Sequence, residues 1–237
     1  MRARTYVFII CSPHPRTGVS TTARLLADFY IHTRRIFAGF DTDPHESPFA
    51  NYFPASVGIA DLANIQGQID LFDNLLLADE IPRIVDVWSR SWKTFFDIAG
   101  STDFFGEAQR RGVTPFILYV ADGSESSLEI AEHLHAQWPD INMAIVGNEG
   151  AAPIGAGAID HLERYPAMHV FEIKTLDPVV RKVIEAADFS FSQFLAEPQD
   201  QMSIVVRASL RAWLLPVFQQ FQSFELRLTL QDSQYFG

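Results

Sequence analysis

The sequence predicts an α/β protein: a doubly wound, mostly parallel sheet with helices on both faces. Short β-branched runs alternate along the chain with longer stretches of helical character, and Gly, Pro, Ser and Asp cluster between them. The chain has 237 residues, 48% of them apolar, enough for one continuous core, so a single domain over residues 1–237 is expected. In order, Val7–Ile10 reads as a buried strand and Thr21–Arg35 as a helix. Ile36–Phe40 is a second strand, and Gln68–Ala78 a helix leading to the strand Ile84–Val87. Helices over Trp88–Ala99 and Ser126–Gln137 bracket the strand Pro115–Ala121. Met143–Val146 and His169–Ile173 are further strands, Gly147–Gly157 a Gly/Ala-rich surface loop, and Pro178–Ala187 a helix. Such sheets bind ligands beyond the carboxyl ends of their strands.

Composition narrows the function classes. The net charge of −11 and only isolated basic pairs, Arg34–Arg35, Arg110–Arg111 and Arg181–Lys182, give no strong nucleic-acid signal, and duplex DNA binding at physiological salt is not expected. The single cysteine, Cys11, rules out an internal disulfide and suits strand packing. No run approaches the ~20 apolar residues of a membrane span, and Arg2 and Arg4 lead straight into a strand, so a cytoplasmic location is expected.

The most informative segment is Val7–Ala23. An apolar strand, a Pro/Gly/Ser/Thr loop and a helix follow one another, which delivers backbone N–H groups to a helix N-terminus where anions are favoured. A standard phosphate loop has Gly at its first and sixth positions, then Lys and Ser/Thr; here Pro15, Ser20, Thr21 and Thr22 stand there. Further candidates fall at later strand ends: Asp41-Thr42-Asp43-Pro44 after the second strand, Asp86 in the β-branched run that follows, and Gly147–Asn148. Each also has a plain structural use. Asp-x-Asp-Pro is common in turns, Asp86 can simply end a strand, and Gly-Asn is a turn signal. His14 and His45 would flank the site, without a third candidate in register for a metal.

This order of motifs resembles the ParA/MinD-type (deviant Walker A) P-loop ATPases, over about residues 5–190. Their loop, Gly-Lys-Gly-Gly-Val-Gly-Lys-Thr, aligns with Pro15, Arg16, Thr17, Gly18, Val19, Ser20, Thr21 and Thr22, so Gly18, Val19 and Thr22 are retained. The resemblance implies that residues 16–22 and Asn148 contact ATP or ADP, Asn148 near the base. It implies Asp41 near the attacking water, as the catalytic residue of an active enzyme. It also implies magnesium at Thr22, Asp43 and Asp86. Arg16 stands where the family has its signature lysine, Thr21 where it has the phosphate lysine, and His45 where Gln is usual.

The substitutions predict weak or absent hydrolysis. Phosphoryl transfer depends on positioning and charge stabilisation, and Thr21 carries no charge. Pro15 removes an N–H donor and the lost glycines raise the strain of wrapping a phosphate, while Arg16 keeps a cation at the loop. The expected function is therefore partner binding by a catalytically weak or inactive relative, with a homodimer expected. An active ATP-dependent dimerisation switch for partitioning, positioning or conjugal transfer is the alternative. An unrelated α/β enzyme comes third, unsupported by any Gly-x-Ser-x-Gly elbow or Cys/His pairing. A C-terminal extension, about residues 200–237, reads as an apolar helix Ile204–Leu215 kinked or ended at Pro216, resumed over Val217–Phe224. Phe224–Leu230 alternates with period two and reads as a terminal strand able to dock a partner or second copy.

Overall fold

A computed structural model describes residues 4–151, 169–186, 189–197 and 199–234. Its frame is a seven-stranded sheet in the order β3-β2-β4-β1-β5-β6-β7, in which every paired neighbour runs parallel. The strands are β1 (Thr5–Cys11), β2 (Ala38–Asp41), β3 (Val57–Ile59), β4 (Arg83–Val87), β5 (Val113–Ala121), β6 (Asn142–Asn148) and β7 (His169–Ile173). The helices are α1 (Val19–His32), α2 (Pro48–Tyr52), α3 (Ile65–Leu75), α4 (Trp92–Ser101), α5 (Phe104–Arg110), α6 (Glu125–Gln137), α7 (Pro178–Ile184), α8 (Phe191–Ala196) and α9 (Ile204–Gln234).

The period-two pattern of β1 shows why the sheet is covered on both sides. Phe8 and Ile10 belong to one apolar cluster, with Leu25, Phe29, Phe116, Phe171 and the buried side chains of α9. Val7, Ile9 and Cys11 belong to the other, with Leu71, Phe72, Phe95, Phe104 and Leu134. Cys11 is fully buried there, and burial pushes its thiol pKa well up. Because β1 lies between β4 and β5, the chain passes to one side of β1 for β2–β4 and to the other for β5–β7. The loop after β1 therefore lies beside the switch point of the sheet.

The C-terminal segment corrects the sequence reading. Phe224–Leu230 is not a strand: α9 runs without interruption from Ile204 to Gln234, through Pro216. Leu228 belongs to a helical repeat instead, since Leu210, Leu214, Val217, Phe218, Phe221, Phe224 and Leu228 are all buried on one face, whereas Leu226 is exposed. That stripe packs on α1 and the sheet through ring contacts of Phe218 and Phe221 with Phe29, and of Phe224 with Phe8 and Phe116. Proline forfeits one backbone bond, but burial of so many large apolar side chains outweighs that loss. Glu225 receives both terminal nitrogens of Arg35 at 3.0 and 2.6 Å and the Tyr30 hydroxyl at 2.8 Å. The Gln220 amide accepts from Glu172 N and donates to Glu172 O, which satisfies part of the outer edge of β7.

Elements the sequence reading missed are short: α2, β3, α5 and α8. Asn148 itself ends β6, so the loop expected over Gly147–Gly157 begins later, and residues 152–157 lie outside the described residues.

Candidate functional site

The loop Ser12–Gly18 joins β1 to α1 at the carboxyl edge of the sheet. Two residues in it are left-handed: Arg16 at φ 62° and Gly18 at φ 100°. Glycine adopts this conformation cheaply, whereas at Arg16 it costs about 1–2 kcal/mol. Gly18 is the N-cap of α1 and supplies no capping side chain. The first N–H groups of α1, at Val19, Ser20 and Thr21, thus begin a helix whose positive end carries no side-chain acceptor from its cap. Thr22 is buried, with both its N–H and its hydroxyl donating to Gly18 O at 2.9 Å. Thr21 is half-buried and Arg16 exposed.

Asn148 is 8% exposed and braces the loop. Its Nδ2 donates to Thr17 O at 3.2 Å, and its Oδ1 accepts from Gly150 N at 3.2 Å. A Cβ built on Gly18 would lie 2.0 Å from Asn148 Nδ2, so this contact requires glycine. The Thr17 side chain is buried, and its hydroxyl has no hydrogen-bond partner. His14 Nδ1 lies 2.5 Å from Asp122 Oδ2, tying the loop to the end of β5. Burial opposes ionisation of Asp122, but hydrogen bonds from Ser124 and His14 hold its carboxyl below the usual range. Asp122 went unnoticed in the sequence because Asp-Gly-Ser reads first as a turn; its position directly after a strand was the available signal.

The three candidate aspartates converge but do different work. Asp41 and Asp86 are register partners on β2 and β4. Both oxygens of Asp41 accept from backbone: Oδ1 from Asp43 N at 3.0 Å, Oδ2 from Phe49 N at 2.8 Å and Ala50 N at 3.1 Å. Asp41 thereby caps α2, whose own N-cap, Ser47, supplies no side-chain bond. Burial raises its pKa, against the lowering effect of these N–H donors. Asp43 Oδ1 accepts from His45 N and Glu46 N, the Asx turn that its sequence context suggested. Asp86 is pushed up to about 8, first by burial and then by the Asp41 charge, with a side-chain hydrogen bond from Ser20 in opposition. Its Oδ2 has no hydrogen-bond partner. Thr42, missed in the sequence, stitches the two strand ends together. Its N–H and hydroxyl donate to Asp86 O, and its oxygen accepts from Trp88 N.

The donor set fits an anion at the start of α1. For magnesium the fit is conditional. Among the described residues no group of three His, Cys, Asp or Glu side chains could hold a metal ion. Asp86 Oδ2 and the hydroxyl oxygen of Thr22 leave room for magnesium only if a phosphate supplies further ligands, as is usual for that ion. No described helix is long and apolar enough to cross a membrane.

No protein-family model matches the sequence, and no curated protein does. Solved structures do. A nucleotide-binding protein from Archaeoglobus fulgidus, determined in complex with ADP, superposes with a TM-score of 0.52 at 14% identity, over 81% of this chain and 88% of that one. MinD in the MinC:MinD cell division protein complex of Aquifex aeolicus gives a TM-score of 0.44 at 12% identity, over 92% and 96%, a score that does not establish a common fold. The seven-stranded parallel α/β architecture of this chain is therefore the fold of the Archaeoglobus nucleotide-binding protein.

Proposed function

We propose that this chain binds the phosphates of ATP or ADP at the loop Pro15–Thr22, hydrolyses them weakly or not at all, and acts through a protein partner. The observation that carries the reading is the loop backbone. Two left-handed residues, one of them the strained Arg16, present an α1 N-terminus with no side-chain cap, the geometry of an anion-binding nest. Likeness of fold to a protein solved with ADP supports a nucleotide rather than a free anion. Arg16 is the exposed cation of the loop, and the Val19, Ser20 and Thr21 N–H groups would complete the contact.

Weak catalysis rests on Thr21 and Asp41. Thr21 has no charge to offer the β/γ-phosphates. Asp41, the catalytic candidate, spends both oxygens on the backbone of α2 and of Asp43, so it is poorly placed to take a proton from water. The partner would contact the same face of the loop or the surface beside it, and a homodimer through that face is part of the reading.

The partnerless Asp86 Oδ2 favours a second reading, an active ATP-dependent dimerisation switch. Magnesium bound with the nucleotide would be held by Thr22 and Asp86, with Asp43 beside them, and would neutralise charge on the β/γ-phosphates. Steady-state phosphate release separates the two. Release at the rate of buffer alone, unchanged in Asp41→Ala, supports the first reading. Sustained turnover that Asp41→Ala abolishes overturns it.

A further inference from the structure

Charge in this chain is segregated by region. Residues 36–82 hold eight acidic side chains and no lysine or arginine, whereas residues 201–224 hold two arginines and no acid. The fold places α3 of the first region and the first half of α9 in the second on opposite faces of the sheet. The acidic region includes α3, which packs through Leu71, Phe72 and Leu75 into the second cluster with Val85 and Val87 of β4. The first half of α9 lies on the other cluster, beside β7, where Trp213 Nε1 donates to Lys174 O at 2.6 Å.

Both helices leave an apolar stripe outside. On α3, Ile65 and Ile69 are 69% and 46% exposed and stand one turn apart, in line with Asp73 and flanked by Asp70. On α9, Ile204 and Val205 are 71% and 69% exposed, followed down the same side by Ala208, Arg211, Ala212 and Leu215. The α3 stripe, about 12 Å from Ile65 to Asp73, fits within the α9 stripe, about 16 Å from Ile204 to Leu215. Alanines at the middle of the α9 stripe permit close approach of a second helix. Charges match too, with Arg211 on one stripe and Asp70 and Asp73 on the other.

We propose that α3 of one copy packs against the first half of α9 of the next copy, so that the protein self-associates head to tail. The two surfaces differ and lie on opposite faces of the sheet, so each added copy exposes a fresh α3 and a fresh α9, and the assembly stays open-ended. One helix pair buries less than a standard interface of about 1,200–2,000 Å², which places the contact in the weak class and its onset at tens of micromolar or above. This association does not depend on nucleotide, and it differs from a closed dimer through the phosphate loop.

The test uses sedimentation velocity on the full chain at low and high salt, with two variants altered only at exposed positions. Ile65→Glu/Ile69→Glu blocks the first surface and Ala208→Glu/Arg211→Glu the second. The native protein should grow beyond dimers as concentration rises, and shrink as salt rises. Without nucleotide, each variant alone should remain monomeric with an unchanged melting temperature, and an equimolar mixture should form dimers and stop, because each partner supplies the surface the other lacks. A native protein that stays monomeric at 200 μM, where contacts of about 100 μM affinity are visible, overturns the proposal. So does assembly that halts at dimers, or a mixture that stays monomeric. Variants that unfold are replaced by Asp73→Arg and Arg211→Glu, each of which should be monomeric alone, while their mixture, in which both contacts pair opposite charges, must assemble beyond dimers.

Discussion

Asp86 sits fully buried at the end of β4 beside Asp41, and its pKa of about 8 against the ordinary 3.8 makes a sharp prediction for Asp86→Asn. In this interval the folded protein holds a proton that the unfolded chain has released, so native stability falls as pH rises from about 4 to 8. The asparagine variant lacks that titration. Three pH units at 1.36 kcal/mol each set a ceiling of about 4 kcal/mol on the difference that opens between pH 5 and pH 8, and sharing of the proton with Asp41 reduces it to about 2–4 kcal/mol. Urea unfolding of both proteins at pH 5, 6, 7 and 8 reads this directly. The stability of the variant relative to the native protein should be lowest at pH 5 and rise steadily to pH 8. Parallel pH curves, or a native protein that loses nothing relative to the variant, would refute the burial argument for this carboxyl.

Gly18→Ala should cost about 1–2 kcal/mol for the left-handed backbone, plus the clash with Asn148, lowering the thermal midpoint and abolishing nucleotide binding together; an unchanged midpoint would contradict the geometry. Arg16→Gly should raise stability by up to about 1 kcal/mol while weakening phosphate binding, which separates the strain of that residue from its charge. Glu225→Ala removes the acceptor of the buried Tyr30 hydroxyl and of Arg35, and should cost about 1–3 kcal/mol in denaturant unfolding, whereas no loss would mean that α9 is held by its apolar stripe alone.

The sheet was legible because most of its strands contain apolar runs of four or more residues bounded by turn signals, and the β1–loop–α1 unit was legible for the same reason. The short elements were not. β3 is three residues long and contains Gly58, and α2 is held by the Asp41 carboxylate rather than by a sequence-local cap. Phe224–Leu230 deceived because leucines two apart suit a strand, while the burial that decides the matter, Phe221 to Phe224 to Leu228, follows the helical period and becomes visible only against Phe8 and Phe116. At the site, several contacts of the candidate residues were not legible. Nothing local reveals that Asn148 braces Thr17, that Asp41 caps a helix eight residues on, or that His14 reaches Asp122.

Phosphate binding by the lysine-free loop Pro15–Thr22 is decided by calorimetric titration of ATP and ADP with magnesium into the native protein and Arg16→Ala. The account predicts binding by the native protein that weakens steeply between low and high salt, because one exposed cation supplies most of the charge, and no measurable heat from the variant. Equal affinity in the two proteins would place the ligand elsewhere, and no binding by the native protein would remove the nucleotide from this fold altogether.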